Sequence, residues 1–181
     1  KKNNLILLEY CNEDKDSFGE VISNFNLLQS TGYDVAILRS NSHKIDRKQE
    51  IHIWISSRDY ENSNMMILLG YIVLGHPEWK NGRIKVFSIY PKKEFETYKN
   101  RMLNFIASGR LPISPNNMKM IPQESDISIK NIIKQRSQNA DLTIIGFRNE
   151  LVKKKKLEIF EGYEGLGNLL FVNSITEKDI K

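Results

Sequence analysis

Short apolar runs alternate with segments of helical periodicity along this chain. The runs predict β-strands because they are brief, rich in branched apolar residues and bounded by polar or turn-forming residues. In chain order they cover residues 5–10, 35–38, 51–55, 83–89, 118–121, 142–145 and 169–172. Several of them lack the alternation of a half-exposed strand, which indicates strands buried on both faces.

The segments between these runs have the spacing of helix faces. Residues 18, 21, 22, 25 and 28 are all apolar, which places them on one side of a helix. Further helices are predicted over 65–74, 95–106, 129–136 and 151–160. The helix over 65–74 is apolar nearly all round, so we expect it to be buried on more than one side.

Repeated alternation of strands and helices predicts an α/β fold, with a mainly parallel sheet and helices on both faces. Crossovers between parallel strands should be right-handed. The length fits a single domain spanning residues 1–181. The pattern also allows two βαβ halves, over 1–75 and 82–175.

No apolar run is long enough to cross a bilayer, which needs roughly 18–20 residues. The longest candidate, Met65 to Leu74, has about half that length and contains Gly70. The sequence begins at Lys1 without an initiator Met and runs almost directly into a predicted strand. We therefore expect a fragment of a longer protein, with any membrane attachment supplied by another part of it.

The net charge is +5, and the densest basic run is Lys153-Lys154-Lys155-Lys156. Two interpretations remain open for this run: a solvated helix face, or a contact with an anionic membrane surface. Nucleic acid is not an expected partner, because no aromatic residues interleave with the basic ones as a stacking platform requires. Cys11 is the single cysteine, which excludes an internal disulfide and agrees with a reducing, cytosolic compartment.

The histidines do not predict a metal or catalytic centre. His43, His52 and His76 have no neighbouring ligands at metal-binding spacing. His52 lies inside a predicted strand and His76 precedes Pro77, so both are expected to be structural. No Gly-x-Ser-x-Gly motif presents a nucleophile, although one sequence cannot rule out a Ser–His–acid triad assembled by the fold.

The glycines and acidic residues likewise predict no cofactor site. Gly162, Gly165 and Gly167 precede a strand, whereas a dinucleotide-binding motif follows a strand and opens a helix. No Walker-type phosphate loop is present. Carboxylate pairs such as Glu158 with Glu161 are more typical of a surface than of a catalytic site. The sequence therefore predicts no catalytic residue, no cofactor and no metal.

One stretch of the chain resembles a known family. It comprises residues 51–55 (IHIWI), 64–74, 76–80 (HPEWK) and 83–86 (RIKV), and it is followed by 140–147 (ADLTIIGF) and 169–173 (LLFVN). The order of a tryptophan-bearing strand, a leucine-rich helix, a tryptophan-containing turn and a basic strand resembles the C-terminal cytosolic domain of cation-chloride cotransporters, especially prokaryotic ones. Trp54 and Trp79 hold the two tryptophan positions, while Ile55 stands where many relatives carry another tryptophan.

The resemblance implies a universal-stress-protein-like fold and a regulatory role without chemistry of its own. It further implies a domain on the cytoplasmic face of the cell membrane, joined to the transmembrane domain of the same polypeptide and paired as a homodimer. Aromatic residues in turns are candidates for that interface, since such side chains are enriched at interface cores. Trp79, after Pro77, and Tyr163, in the glycine loop, are the two candidates.

Two alternatives belong to other classes. A free-standing universal-stress-type protein would bind ATP through the loop after the strand at 142–145, but that loop has no second glycine. Glu150 is expected to lie where a phosphate would sit, and its like charge would oppose binding. A hydrolase on a doubly wound sheet has only the fold in its favour.

Overall fold

The computed structural model describes residues 5–11, 14–41, 48–57, 59–107, 113–124 and 127–175. Within these ranges seven strands and five α-helices follow the predicted order. The strands are β1 (Leu5–Cys11), β2 (Asp34–Ser40), β3 (Glu50–Ser56), β4 (Arg83–Pro91), β5 (Met118–Gln123), β6 (Leu142–Gly146) and β7 (Asn168–Asn173). The helices are α1 (Lys15–Ser30), α2 (Tyr60–Leu74), α3 (Phe95–Ala107), α4 (Ile129–Ser137) and α5 (Asn149–Lys155).

All seven strands form one sheet in the order β1-β2-β7-β6-β3-β4-β5. Neighbouring strands are parallel at every described pairing except β2 with β7, which run antiparallel with Val35 opposite Asn173. Strands β7 and β6 lie between β2 and β3, so the two halves suggested by the sequence interleave within a single sheet.

Each face of the sheet carries its own apolar core, because the buried strands present side chains alternately to the two sides. Helices α1, α4 and α5 cover one face, where the largest buried side chains include Phe25, Trp54, Phe147, Phe160 and Phe171. Helices α2 and α3 cover the other face, where the buried side chains include Ile53, Met66, Tyr90, Met102 and Val172. The expected α/β fold, with a mainly parallel sheet and helices on both faces, is confirmed.

Helix α2 is buried on all sides over residues 62–67 and exposed on one side towards its C-terminal end. Residues 65–67 are buried, but Leu68 and Tyr71 are exposed and Ile72 is 61% exposed. The prediction that this helix is buried on more than one side therefore holds for residues 65–67 and fails for the last two turns. There Leu69, Val73 and Leu74 pack against the core, whereas Leu68, Tyr71 and Ile72 are exposed. Among the described residues, no helix is long and apolar enough to cross a bilayer.

Candidate functional site

A cavity of about 470 Å³ opens where β3 and β6 end. Small-molecule sites in proteins occupy roughly 300–1,000 Å³, so its size suits a small ligand. Open α/β sheets bind ligands outside the carboxyl ends of their strands, which is where this cavity lies. Its walls are α4 on one side, and α5 with the residues just before and after it on the other.

The floor of the cavity is apolar. Trp54 of β3, Ile89 of β4 and Ile145 of β6 face it from the sheet, and Ile133 of α4 and Leu151 of α5 close its sides. The ring of Phe87 stacks on Trp54 with centroids 4.4 Å apart, which fixes the indole in the floor. A ligand bound here would place apolar atoms against rigid, largely buried side chains.

Lys130 of α4 supplies a fixed positive charge at the cavity wall. Its Nζ donates hydrogen bonds to the carbonyl oxygens of Glu158, at 2.5 Å, and Glu161, at 2.7 Å. The same ammonium lies 5.2 Å from the centroid of the Tyr163 ring, within cation–π range. Partial burial and then the nearby charge of Lys155 lower the pKa of Lys130.

Asp59 is the buried acidic group of the cavity. The backbone N–H of Ser56 donates to Asp59 Oδ2 at 2.9 Å, and the Ser56 hydroxyl donates to the same oxygen. Burial raises the pKa of Asp59, and the hydrogen bonds from Ser56 and the charge of Arg148 oppose that rise. The carboxyl group is therefore anchored in one position at the start of α2.

Asp59 closes the loop after β6. A methyl group added to Gly146 would lie 2.7 Å from Asp59 Oδ1, so only a glycine leaves room for this carboxyl group. Asn62 completes the closure by donating to the Phe147 carbonyl at 3.0 Å and accepting from the Ser174 N–H at 2.7 Å. The ends of β6 and β7 are thus tied to the first turn of α2.

The expectation that Glu150 would face a bound phosphate was wrong. Glu150 is exposed on α5 and does not line the cavity, whereas Arg148 does. Asp59 instead brings negative charge to Gly146, from the opposite side of the loop. The acidic group nearest the backbone of this loop is thus Asp59, a residue that the sequence did not single out.

At the opposite end of β3, three side chains make the connections of a catalytic triad. Ser137 Oγ lies 2.9 Å from His52 Nδ1, and His52 Nε2 lies 3.0 Å from Glu50 Oε2. Ser137, however, is 0% exposed, and Trp54 Nε1 donates to its Oγ at 2.8 Å. A nucleophile needs access to substrate, and the burial of Ser137 leaves it none in this structure. The structural role expected of His52 stays a prediction, and its burial is in keeping with it.

Glu50 joins that network to surface cations. Its carboxylate accepts from Lys85 Nζ at 2.8 Å and from the guanidinium of Arg83. Burial alone would raise the pKa of Glu50, but hydrogen bonds from Lys85, Arg83 and His52 outweigh it and hold the pKa at about 2. Burial lowers the pKa of His52, more than Glu50 raises it.

A buried arginine fixes the glycine loop. Arg39 of β2 is 4% exposed, and its Nη2 donates to the carbonyl oxygens of Tyr163, Leu166 and Gly167 at 3.2–3.4 Å. Gly162 and Gly165 have φ of 84° and 83°, a conformation that glycine adopts without strain. The three glycines shape this turn, in agreement with their interpretation as loop residues.

The residues predicted to form an interface or a membrane contact differ in how far they are buried. Tyr163 is 5% exposed and packs in the core, so it offers little surface to a partner. Trp79 is half-buried in a short 3-10 helix and packs against the α2 face of the core. Lys153, Lys154 and Lys155 are exposed at the end of α5. The interface and membrane roles of these residues stay predictions.

From the sequence, only the loop after β6, which contains Arg148, was a candidate ligand site; Asp59 and Lys130 were not predicted, although one signal was available. Ser56 ends β3, Asp59 follows it and Arg148 follows β6, so these residues lie at the carboxyl ends of adjacent parallel strands. His43 lies outside the described residues, and His76 is exposed and accepts from the Glu78 N–H. Within the described ranges, no group of three or more His, Cys, Asp or Glu residues could hold a metal ion.

The known proteins that resemble this chain were found by their structures and not by their sequences. Neither a protein-family model nor a curated protein sequence matches the chain. The cytoplasmic domain of a prokaryotic cation chloride cotransporter matches with a TM-score of 0.62 and 15% identity, over 97% of this chain and 65% of that one. A functionally unknown protein from Pseudomonas aeruginosa matches with a TM-score of 0.50 and 14% identity, over 93% of this chain and 62% of that one.

The chain spans less than two thirds of the length of either structure. At these identities the similarity concerns the fold. The protein therefore has the α/β fold found in the cytoplasmic domain of a prokaryotic cation chloride cotransporter.

Proposed function

We propose that this chain is the cytoplasmic domain of a membrane transporter of the cation-chloride cotransporter type, in which it regulates transport and helps to pair subunits. The observation that carries the proposal is the structural similarity to such a domain over 97% of the chain. Movement of the solute would belong to membrane-spanning segments of the same polypeptide. The domain itself would perform no chemistry.

The proposed lack of catalysis is supported by where the reactive groups lie. Ser137 and His52 are buried, and neither of them lines the cavity. The serine also accepts a hydrogen bond from Trp54, which competes with any role as a nucleophile. This arrangement disfavours the alternative of a hydrolase on a doubly wound sheet.

Two surfaces support the proposed partners. The exposed lysines of α5, at 153–155, would meet the anionic lipids of the cytoplasmic leaflet, at about 1 kcal/mol each for side chains near the surface. A homodimer would require little intrinsic affinity, because two domains held below one membrane complex have a high effective concentration. Half-buried Trp79 is the proposed contact residue.

The proposal is tested by the size and location of the native protein. An antibody raised against this chain should detect, in cells of the source organism, a polypeptide much larger than the 21.1 kDa of the chain. That polypeptide should stay with the membrane pellet after alkaline carbonate extraction. A carbonate-soluble product of about 21.1 kDa would overturn the proposal.

The alternative function is that of a free-standing universal-stress-type protein that binds nucleotide. The cavity favours it, since Arg148, Lys130 and Lys155 all line it. Asp59, packed against Gly146, opposes the negative charge of a triphosphate in the adjoining loop. Calorimetric titration with Mg-ATP tests this alternative: micromolar affinity that is lost in Arg148→Ala would establish nucleotide binding, and the carbonate extraction above would then show whether the protein is free-standing.

A further inference from the structure

The cavity has two facing walls that each combine a cation with apolar side chains. On the α5 side, Arg148, Leu151 and Lys155 are spaced at i, i+3 and i+7 and all line the cavity. On the α4 side, Lys130 lines it together with Ile133. Residues at this spacing lie on one side of a helix, so a positive, an apolar and a second positive side chain all face the cavity from the α5 side.

The two lysines form a pair of like charges across the mouth. Lys130 cannot swing away from Lys155, because its Nζ is tied to the carbonyl oxygens of Glu158 and Glu161. Those hydrogen-bond partners are neutral carbonyl groups, which orient the ammonium, while the carboxylates of Glu161, Glu164 and Glu158 raise the pKa of Lys130. The charge of Lys155 is close enough to lower the pKa of Lys130. An anion between the two would relieve this repulsion.

The floor beneath that pair is apolar and deep. Trp54, Ile133 and Ile145 lie there, and the stacked ring of Phe87 holds the indole of Trp54 in place. A volume of about 470 Å³ has room for a one- or two-ring body as well as a head group. The cavity therefore suits a molecule that is apolar at one end and negatively charged at the other.

The acidic groups limit how much negative charge the cavity accepts. Asp59 and Glu158 line it together with the three cations, so the lining groups carry an excess of one positive charge if all five are ionised, and Glu161 and Glu164 add negative charge near Lys130 from outside the lining. Asp59 also fills the space above Gly146, where a chain of phosphates would approach the backbone. A single anionic group is matched by this balance, whereas a triphosphate is not.

We propose that this cavity binds an amphipathic small-molecule anion, with its ring or branched apolar body on Trp54 and Ile145 and one carboxylate or similar acidic head between Lys130 and Lys155. This inference goes beyond the proposed transporter role and does not depend on it, since it concerns a ligand of the folded domain alone. If the transporter role also holds, such a ligand would be a regulator that reports on a metabolite in the cytoplasm.

The test uses two probes that share a ring and differ in charge, indole-3-acetate and indole-3-acetamide. Isothermal titration of the chain should show saturable 1:1 binding of the acetate, with a Kd on the order of 1 mM for a ligand of this size. The acetamide should bind about tenfold more weakly, because it lacks the charge that the lysines attract. No saturable heat from the acetate up to about 10 mM would overturn the proposal.

Matched variants locate the site. Lys155→Gln should weaken binding of the acetate by about tenfold, whereas Lys153→Gln, on the same helix but outside the cavity, should leave it unchanged. Ile129→Trp should fill the cavity and abolish binding, with the thermal unfolding temperature checked to show that the fold is intact. Equal effects of the two lysine changes would overturn the location of the acidic head.

Mg-ATP provides the remaining comparison. If it binds more tightly than indole-3-acetate and loses affinity in Lys155→Gln, the cavity accepts a polyphosphate and the single-anion proposal is wrong. If Mg-ATP binds more weakly, the result supports the proposal that Asp59 and Glu158 limit the negative charge that the cavity accepts. Neither result bears on membrane attachment, so failure here is distinguishable from failure of the transporter role.

Discussion

His52 has a partner for each of its ring nitrogens although its side chain is almost fully buried. Trp54 donates to Ser137, so the serine can donate its own proton to His52 Nδ1, and His52 Nε2–H then donates to Glu50. This assignment gives a neutral imidazole, consistent with the lowered pKa of His52. The folded state therefore favours the neutral form of His52, so folding in acid requires this residue to release a proton.

The pKa of His52 predicts a loss of stability in mild acid. Because its pKa is lower in the fold than the ordinary 6.5, the unfolded chain binds a proton that the folded chain excludes. The free energy of unfolding should fall as the pH drops below about 6.5, by at most about 1.4 kcal/mol per pH unit from this group. Urea unfolding of the wild type and of His52→Gln between pH 7.5 and 5 measures the difference.

His76→Gln is the control for that experiment, because His76 is exposed and should leave the slope unchanged. If wild type and His52→Gln lose stability in parallel over this range, His52 is not the coupled group. The comparison is valid even if His52→Gln is less stable overall, since the slope with pH and not its absolute value is compared.

Glu50 predicts a second transition at lower pH. Its pKa of about 2 lies below the ordinary value of 4.5, so its contribution to stability is complete above about pH 4.5 and is lost as the pH falls towards 2. Glu50→Gln should cost about 1–2 kcal/mol at pH 7, a figure reduced because Arg83 is largely solvent-exposed. The difference between the two proteins should shrink at pH 3, as measured by guanidinium unfolding.

Among the elements, the junction of β6 with α2 leaves no room for added volume. Gly146→Ala would place a methyl group 2.7 Å from Asp59 Oδ1 and 2.9 Å from its Cγ, and Asp59 is anchored by Ser56. We expect a loss of about 1–3 kcal/mol in the free energy of unfolding. Thermal and urea unfolding measure it.

The matched control is Gly19→Ala in α1, where nothing lies within 4 Å of an added methyl group. Alanine favours a helix interior over glycine, so this change should stabilise the protein by up to about 1 kcal/mol. Opposite signs for the two substitutions are expected. A neutral or stabilising Gly146→Ala would show that Asp59 moves without cost and that the loop after β6 is not closed as described.

The elements themselves could be predicted from the sequence, because apolar periodicity reflects burial directly. The observed strands and helices agree with the predicted ones to within a few residues, as β6 over Leu142–Gly146 shows. The outer face of α2 could not be predicted in this way. Leu68, Tyr71 and Ile72 have the composition of core residues, and only the packing shows that they are exposed.

At the scale of the whole molecule, the order of the strands and the presence of the cavity could not be predicted from the sequence. Nothing local indicates that β7 enters antiparallel to β2, since pairing partners are chosen by tertiary packing. Lys130 and Lys155 come together for the same reason, from two helices that meet only in the folded chain. The His52–Ser137 contact joins residues 85 positions apart, so no spacing rule could have found it.

The proposed homodimer predicts self-association that depends on concentration. Analytical ultracentrifugation from about 10 μM to 1 mM should show a monomer giving way to a dimer, in keeping with a weak contact. Trp79→Ala should raise the dissociation constant about tenfold if this side chain lies at the interface. Tyr163→Phe is the control, because Tyr163 is buried within the subunit and should not matter.

A monomer at every concentration, together with no crosslink from surface cysteines in native membranes, would remove assembly from the proposed roles. Thermal unfolding must accompany the Trp79→Ala measurement, since the indole also packs on the core and beside Gly82.

The position of β7 between β2 and β6 affects how the chain is made. A ribosome delivers β1 and β2 first and can then release β3, β4 and β5, but these two groups are joined only through β6 and β7. Until the last strand emerges, the apolar edges of β2 and β6 are open to strands of other nascent chains. Translation that stops before Asn168 would leave both edges unpaired, so the sheet gains protection against aggregation only once β7 has emerged from the ribosome.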